Sequence, residues 1–555
     1  MIEGIDLSCG QSASADSLTL GAHSGVTIFV GPNNCGKSAL LEGIYNALAA
    51  RRRRGSLSKT SALKKVRLTP FSEELLDEHP AFQECFDSGD IELSGVRMSR
   101  ERWVPMLASN WDSDYGRRFR EHSCIWMNGP QRLSMLPNES GVNLQNPTSP
   151  LARLFVDDAR RAEFQGAVFS GIGHYPIIDS MTSYGALELA FSMQKPNPVI
   201  ERSLCDDLRE CLRQAIPAPN ASDGFNAYVG MLGALYASEY KVILIDEPEA
   251  FLHPALARTL GKQIALQAKE RHVYIATHSS EFLMGAVEAG VPVRILRLQF
   301  QDGIAASCLL DSSELRSFMH DPLLRSANVL AGLFSRSVIV SEADTDRAFY
   351  QEINTRLLTS RDARGIENAL FLNAQNKQTV PRIVRLLRKM GVPAAGIVDL
   401  DVVSDGGTNW SRQMDAAGVP RAMRASLEAA RVETFRNLRR VGEGDGKDYK
   451  RHGGISLLKG GERDAAETFF GDLARYGLFV VPIGEVEGWL PKLEISRAKH
   501  SWLHQIFEKM GTEPADVNYL RPGEGDVWDF IGECRGWLSD PERKGMDALD
   551  FPEDS

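Results

Sequence analysis

The run Gly31-Pro32-Asn33-Asn34-Cys35-Gly36-Lys37-Ser38 constrains this chain more than any other. It fits G-x-x-x-x-G-K-[ST], follows the β-rich run at 26–30 and precedes an uninterrupted helical stretch over about 37–50. A strand, a glycine turn and a helix in that order let backbone N–H groups converge on phosphate oxygens at a helix N-terminus. Gly31, Asn33, Asn34 and Gly36 then belong to the cradle. Lys37 reaches the β/γ-phosphates of ATP and the Ser38 hydroxyl holds Mg2+. Cys35 is read as a small residue tolerated by the tight turn.

Two later segments complete the pattern. The continuous apolar run at 242–245 reads as a buried parallel strand and ends on Asp246-Glu247. A carboxylate at the end of such a strand is costly without a cation, and holding Mg2+ through water removes that cost. Glu247 is then placed to polarise the attacking water as general base. A second buried strand at 273–276 ends on Thr277-His278-Ser279, where His278 can sense the γ-phosphate. Between them, 255–269 reads as a helix with Leu256, Leu260 and Ile264 on one face. Alternating strands and helices imply a parallel α/β sheet that binds and hydrolyses ATP, with Glu247 and His278 as its catalytic residues.

A boundary is expected within 311–335, and a second α/β unit opens at 337–340. Glu342 follows that strand and Asp346 comes four residues later. Residues 368–374 read as a strand. The next helix has Val380, Ile383, Val384, Leu387 and Met390 on its apolar face, with Arg382, Arg385, Arg388 and Lys389 away from it. The strand at 394–400 places Asp399 and Asp401 on the same side of its end, and a further apolar strand spans 477–483. Ligands bind at the carboxyl ends of strands in open α/β sheets. Acids converging there repel unless cations neutralise them, and hard oxygen donors suit Mg2+ or Mn2+. Two such ions about 3.5–4 Å apart stabilise both the attacking and the leaving oxygen of a phosphodiester cleavage.

The order of these motifs resembles the ABC-type ATPases of DNA maintenance, the SMC and RecF-like group. The phrase GPNNCGKS and the run Asp246-Glu247-Pro248-Glu249-Ala250-Phe251-Leu252-His253-Pro254 narrow the resemblance to the OLD (overcoming lysogenization defect) family. That resemblance implies two heads sandwiching ATP, each completing the other's site with a signature segment. Ser222-Asp223-Gly224-Phe225 stands where that segment belongs, without its usual paired glycines, so Ser222 is the residue expected to act in the partner. The run 340–346 and the later Asp399-Leu400-Asp401 are similar to a Toprim domain, with Ala343 in place of the usual glycine. The run 484–490 resembles the later acidic segment of OLD-type Toprim domains. It implies Glu487 as a further metal ligand beside Glu342, Asp346, Asp399 and Asp401, with Glu485 next to it. Such nucleases also use a downstream lysine, for which Lys499 is preferred to Lys492.

The expected fold is therefore α/β: an ABC-type P-loop ATPase domain over 1–315 with a helical insert somewhere in 55–215, and a Toprim domain over 335–500. A helical segment and acidic tail follow over 501–555. The resemblance implies an ATP-dependent, divalent-metal-dependent DNA endonuclease acting in bacterial anti-phage defence, as a homodimer or higher homo-oligomer, with a co-encoded partner. The alternative is a non-cleaving, RecF/SMC-like DNA-binding or sensor ATPase with a vestigial Toprim domain. A topoisomerase is disfavoured because no DNA-gate domain with a nucleophilic tyrosine follows residue 500.

Bulk properties agree with this reading. A chain of 555 residues exceeds one core. No apolar run approaches the roughly 20 residues that span a bilayer, and no signal peptide opens the chain, so a cytoplasmic protein without membrane association is expected. The eight cysteines are scattered, without zinc-knuckle spacing. A net charge of −10 speaks against a passive DNA-coating protein, leaving any nucleic-acid contact to local basic stretches. Two exist: Arg51-Arg52-Arg53-Arg54, and 431–451 with Arg436, Arg439, Arg440, Lys447, Lys450 and Arg451.

Overall fold

Two units make up the chain, Met1–Ser317 and Phe318–Ser555. The structure, a computed structural model, describes residues 1–546 except 9–16, 50–61, 78–89, 94–95, 110, 112–113, 130–135, 137–143, 146, 148, 183–185, 238–239, 269, 302–303, 311–315, 317–327, 443–447 and 498. The basic run 51–54 and Lys447 lie outside the described residues.

In the first unit the β-branched runs become neighbours in one six-stranded sheet. Its order is Ile304–Leu310, Val293–Gln301, Gly25–Val30, His272–Ala276, Val242–Asp246 and Cys124–Met127. All adjacent pairs are parallel except the edge strand Ile304–Leu310. Burial of the central strands on both faces explains why they read as unbroken apolar runs. Helix Lys37–Ala49 buries Leu40, Leu41, Ile44 and Leu48 in a core shared with Ile2, Ile5, Leu7 and Leu20. Those last residues belong to a three-stranded antiparallel sheet of Ile2–Leu7, Thr19–Gly21 and Leu63–Leu68.

The stretch 55–215 is helical in part. It contains helices Arg100–Ser109, Asp114–His122, Pro150–Val156 and Asp158–Ile172. It also supplies strands Tyr175–Asp179 and Glu188–Ser192, and the strand Cys124–Met127 that completes the main sheet beside Val242–Asp246. A buried ion pair, Arg161 Nε to Glu201 Oε2 at 2.9 Å, joins helix Asp158–Ile172 to helix Pro198–Glu201.

The second unit is built on a four-stranded parallel sheet ordered Ala369–Asn373, Ser337–Ser341, Ala394–Val398 and Leu478–Val480. Helices Lys499–Met510 and Asp526–Ser539 are part of its core. Trp502, Ile506, Met510, Trp528, Phe530 and Trp537 pack with Ile339, Tyr350 and Phe479. One expectation fails here: Arg388 does not point away from the apolar face of helix Val380–Lys389 but is fully buried. Its guanidinium donates to the carbonyls of Ala394 (2.8 Å), Ala417 (2.9 Å) and Tyr476 (2.9 Å) and lies over the Trp537 ring. A planar fork of five donors can tie several chain ends together, which makes this burial tolerable. Arg356 does the same for the carbonyls of Met510, Gly511 and Leu520. Among the described residues, no helix is long and apolar enough to cross a membrane.

Candidate functional site

The register of the first sheet brings the three nucleotide motifs to the carboxyl ends of adjacent interior strands. Asp246 pairs with Ala276, and Ala276 with Phe29, so the turns after these adjacent strands leave side by side. Gly31 (φ 145°) and Gly36 (φ 94°) adopt left-handed backbone, and a Cβ at Gly31 would overlap the carbonyl of Leu298. Asn34 also has positive φ, at 62°. Lys37 is buried, its ammonium donating to the carbonyls of Gly31 and Pro32 at 2.9 Å each. Burial holds its pKa below the usual lysine value.

Ser38 Oγ donates to Asp246 Oδ1 at 3.1 Å, which places the two residues read as Mg2+ partners against each other at the carboxyl end of the sheet. Glu247 sits at φ 51°, a strained backbone for a non-glycine residue, held by its N–H to the carbonyl of Ala276 at 2.8 Å. His278 Nε2 lies 4.0 Å from Glu247 Oε1, and burial, then Lys37, lowers the imidazole pKa. Glu249, which sequence reading left without a role, bridges these segments. Its carboxylate accepts from Thr277 Oγ1 at 2.8 Å and from the His278 N–H at 2.7 Å. Ser222 Oγ accepts the N–H of Phe225 at 3.3 Å at the start of helix Asp223–Ala237.

The carboxylates of the second unit leave its strand ends. Glu342 follows Ser337–Ser341, and its Oε1 accepts the N–H of Asp399 at 2.9 Å across to the neighbouring strand end. The sequence-based strand at 394–400 stops at Val398. Asp399 instead caps a 3-10 turn over Leu400–Ser404 that contains Asp401. Strand alternation is therefore not what aligns the two acids. The turn does so, and oxygens of Glu342, Asp399 and Asp401 lie within 4.8 Å of one another. Asp346 and Glu487 are not in that group. Asp346 lies in helix Asp344–Thr359, where its Oδ2 accepts the N–H of Ala343 at 3.1 Å, and Glu487 lies in the 3-10 turn Val486–Gly488. Ala343 itself is extended (φ −126°), so the glycine of the resembled motif is not required here.

Burial, then the charge of Asp399, pushes Glu342 up to about 8. Burial, then Asp399, pushes Asp346 up to about 7, with Glu487 adding to the effect. Asp399 is pushed up by burial as well, while an ammonium at 2.7 Å favours its charged form. Oxygen Oδ1 of Asp401 is buried without a hydrogen-bond partner. Clustered carboxylates that burial and mutual repulsion disfavour as anions are a donor set that a hard divalent cation would neutralise.

Two lysines that sequence reading did not place at this site line it. Lys450 Nζ lies 2.7 Å from Asp399 Oδ2 and 3.6 Å from Asp401 Oδ1. Lys377, in the loop after strand Ala369–Asn373, bridges Asp401 at 3.2 Å and Asp405 at 3.0 Å. Burial opposes each charge, but the neighbouring carboxylates outweigh it and raise both ammonium pKa values. The Lys499 side chain lies outside the described residues, and Lys492 is exposed in the turn Pro491–Leu493. Of the other cations in 431–451, Arg431 is buried against Glu428 and the carbonyl of Val403, and Arg440 pairs with Glu462. Arg436, Arg439 and Arg451 are exposed.

Two protein-family models match separate parts of the chain. A family described as "AAA domain, putative AbiEii toxin, Type IV TA system" matches residues 205–284. One described as "Overcoming lysogenization defect protein-like, TOPRIM domain" matches residues 333–401. No curated protein matches the chain. Solved structures similar to it include an Smc head bound to the C-terminal winged-helix domain of ScpA, at 15% identity, 57% of this chain, 99% of that chain and TM-score 0.34. Others are an Smc head with an extended coiled coil bound to the C-terminal domain of ScpA from Pyrococcus furiosus (14%, 57%, 98%, 0.34) and the SMC head domain from Thermotoga maritima (12%, 56%, 99%, 0.27). An AAA-type ATPase domain followed by an OLD-like Toprim domain, in that order along the chain, is the make-up of an OLD-family protein, and this chain matches it.

Proposed function

We propose that this protein binds and hydrolyses ATP and is a divalent-metal-dependent DNA endonuclease of OLD type. The observation that carries the nuclease reading is the grouping of Glu342, Asp399 and Asp401 within 4.8 Å, with Asp401 Oδ1 buried and accepting no hydrogen bond among the described residues. These residues would hold Mg2+ or Mn2+, with Asp346 and Glu487 beside them. A bound divalent ion supplies charge stabilisation for phosphodiester hydrolysis. Lys499 is retained as the lysine nearest the scissile phosphate.

At the other site Lys37 and the glycine loop bind the phosphates, and Ser38 with Asp246 would hold Mg2+. Glu247 takes a proton from the attacking water and His278 orients toward the γ-phosphate. Ser222 would complete the site of a second head, which makes the active form at least a homodimer. A role in anti-phage defence with a co-encoded partner is part of this reading and rests on the family resemblance. The alternative is a non-cleaving, RecF/SMC-like ATPase with a vestigial Toprim domain; what favours the cleaving reading is that the backbone at Ala343 is extended, a conformation any residue adopts.

Plasmid cleavage by the purified protein with Mg2+ or Mn2+, with and without ATP, tests the proposal. Metal-dependent cutting that Asp399→Ala abolishes is expected. Cutting that survives Asp399→Ala would overturn the assignment of the cluster.

A further inference from the structure

The carboxylate group draws a counter-charge from its own chain. Lys450 touches the two acids of the D-x-D run, and among the described residues Asp399 and Asp401 are its carboxylate partners. Lys377 differs, because it shares its charge with Asp405, outside the group of three.

Lys450 is placed by backbone as well as by charge. Its carbonyl lies against Gly484, whose φ of 109° and missing Cβ make room for it. The Gly484 carbonyl in turn accepts the N–H of Leu400 at 2.9 Å, next to Asp399. One glycine therefore joins the lysine, the D-x-D turn and the segment leading to Glu485 and Glu487. The ammonium and a divalent ion would need the same carboxylate oxygens, and like charges at such separation repel strongly.

We propose that Lys450 is a built-in competitor for the divalent cation. It holds the cluster together without metal and must give up Asp399 and Asp401 before metal binds there, so it sets the concentration at which the site fills. This rests on the divalent-metal reading of the cluster.

The test is Mn2+ binding to full-length protein without nucleotide, read by loss of the free-Mn2+ paramagnetic resonance signal. Wild type is compared with Lys450→Met, Lys450→Arg and Asp399→Asn. Lys450→Met is expected to lower the Mn2+ Kd about tenfold, and Lys450→Arg to stay within about threefold of wild type. Because removing the counter-charge also exposes the acids to mutual repulsion, melting temperatures are taken with and without Mn2+. A larger Mn2+-induced rise in Lys450→Met than in wild type supports the inference, and an equal or smaller rise overturns it. Wild-type binding abolished by Asp399→Asn but unchanged in Lys450→Met overturns the role of Lys450 alone. Absence of binding to wild type and every variant overturns the metal reading and this inference with it.

Discussion

The backbone carbonyl of Lys450 rests against the Cα of Gly484 at a point where any Cβ on residue 484 would overlap it. Gly484→Ala therefore meets both a clash with backbone and a left-handed φ of 109°. A cost of about 2 kcal/mol or more is expected, together with weakened Mn2+ binding as the Lys450 and Asp399 segments move apart. Calorimetry with and without Mn2+ checks this; unchanged stability would mean the loop before Lys450 absorbs the shift.

Glu247→Gln should retain ATP binding and lose turnover by about 10²–10⁴-fold, the range of a lost general base. Lys37→Ala should lose binding itself. Fluorescent-nucleotide titration beside phosphate release separates the two, and normal turnover in Glu247→Gln would remove its role as base. Glu249→Ala, by freeing Thr277 and His278, should lower turnover about tenfold while KM changes little.

Glu342→Gln should abolish DNA cleavage and leave ATPase activity near wild type, because the two sets of residues lie in separate units. Parallel assays on the same preparation read both. Loss of both activities would show that the second unit is needed for the first to work.

Stability of chelator-treated protein should fall as pH rises from about 5 to 8. Glu342 and Asp346 have folded-state pKa values raised to about 8 and about 7, so the folded chain binds more protons than the unfolded chain across this window. Stability then declines with pH until both are ionised, by on the order of a few kcal/mol. Divalent metal should reverse the slope, with its largest stabilisation near pH 8. Melting curves over pH with chelator or Mn2+ decide the matter, and a flat metal-free profile would contradict it.

Arg388→Met should cost about 3–5 kcal/mol, since it leaves the carbonyls of Ala394, Ala417 and Tyr476 buried without a donor. Denaturant unfolding of the variant reads this directly. Equal stability would mean that water replaces the guanidinium.

Much of the site was legible because its signals are local. A glycine loop between a strand and a helix, or an acid at the end of an apolar run, announces itself within ten residues. What stayed hidden depends on distant partners. Lys450 looked like one cation in a basic stretch, and only the fold places it on Asp399. Arg388 sat on the polar side of a helical pattern, yet carbonyls from three separate segments surround it. Asp399 and Asp401 were grouped for the wrong local reason, since a 3-10 turn rather than strand alternation aligns them. Strand Cys124–Met127 is four residues long and sits in a stretch without clear periodicity, so its place in the main sheet could not be read.

The helices Lys499–Met510 and Asp526–Ser539 carry Trp502, Phe530 and Trp537 into the same core as the sheet that bears the acids. A fragment ending near residue 500 would expose that aromatic layer and release the carbonyls of Met510 and Leu520 from Arg356. The core around the carboxylates thus runs through helix Asp526–Ser539, and the carbonyl of Gly545 still meets Arg388 beyond it. Proteolysis between these helices and the sheet would therefore remove core from under the carboxylates without touching any of them.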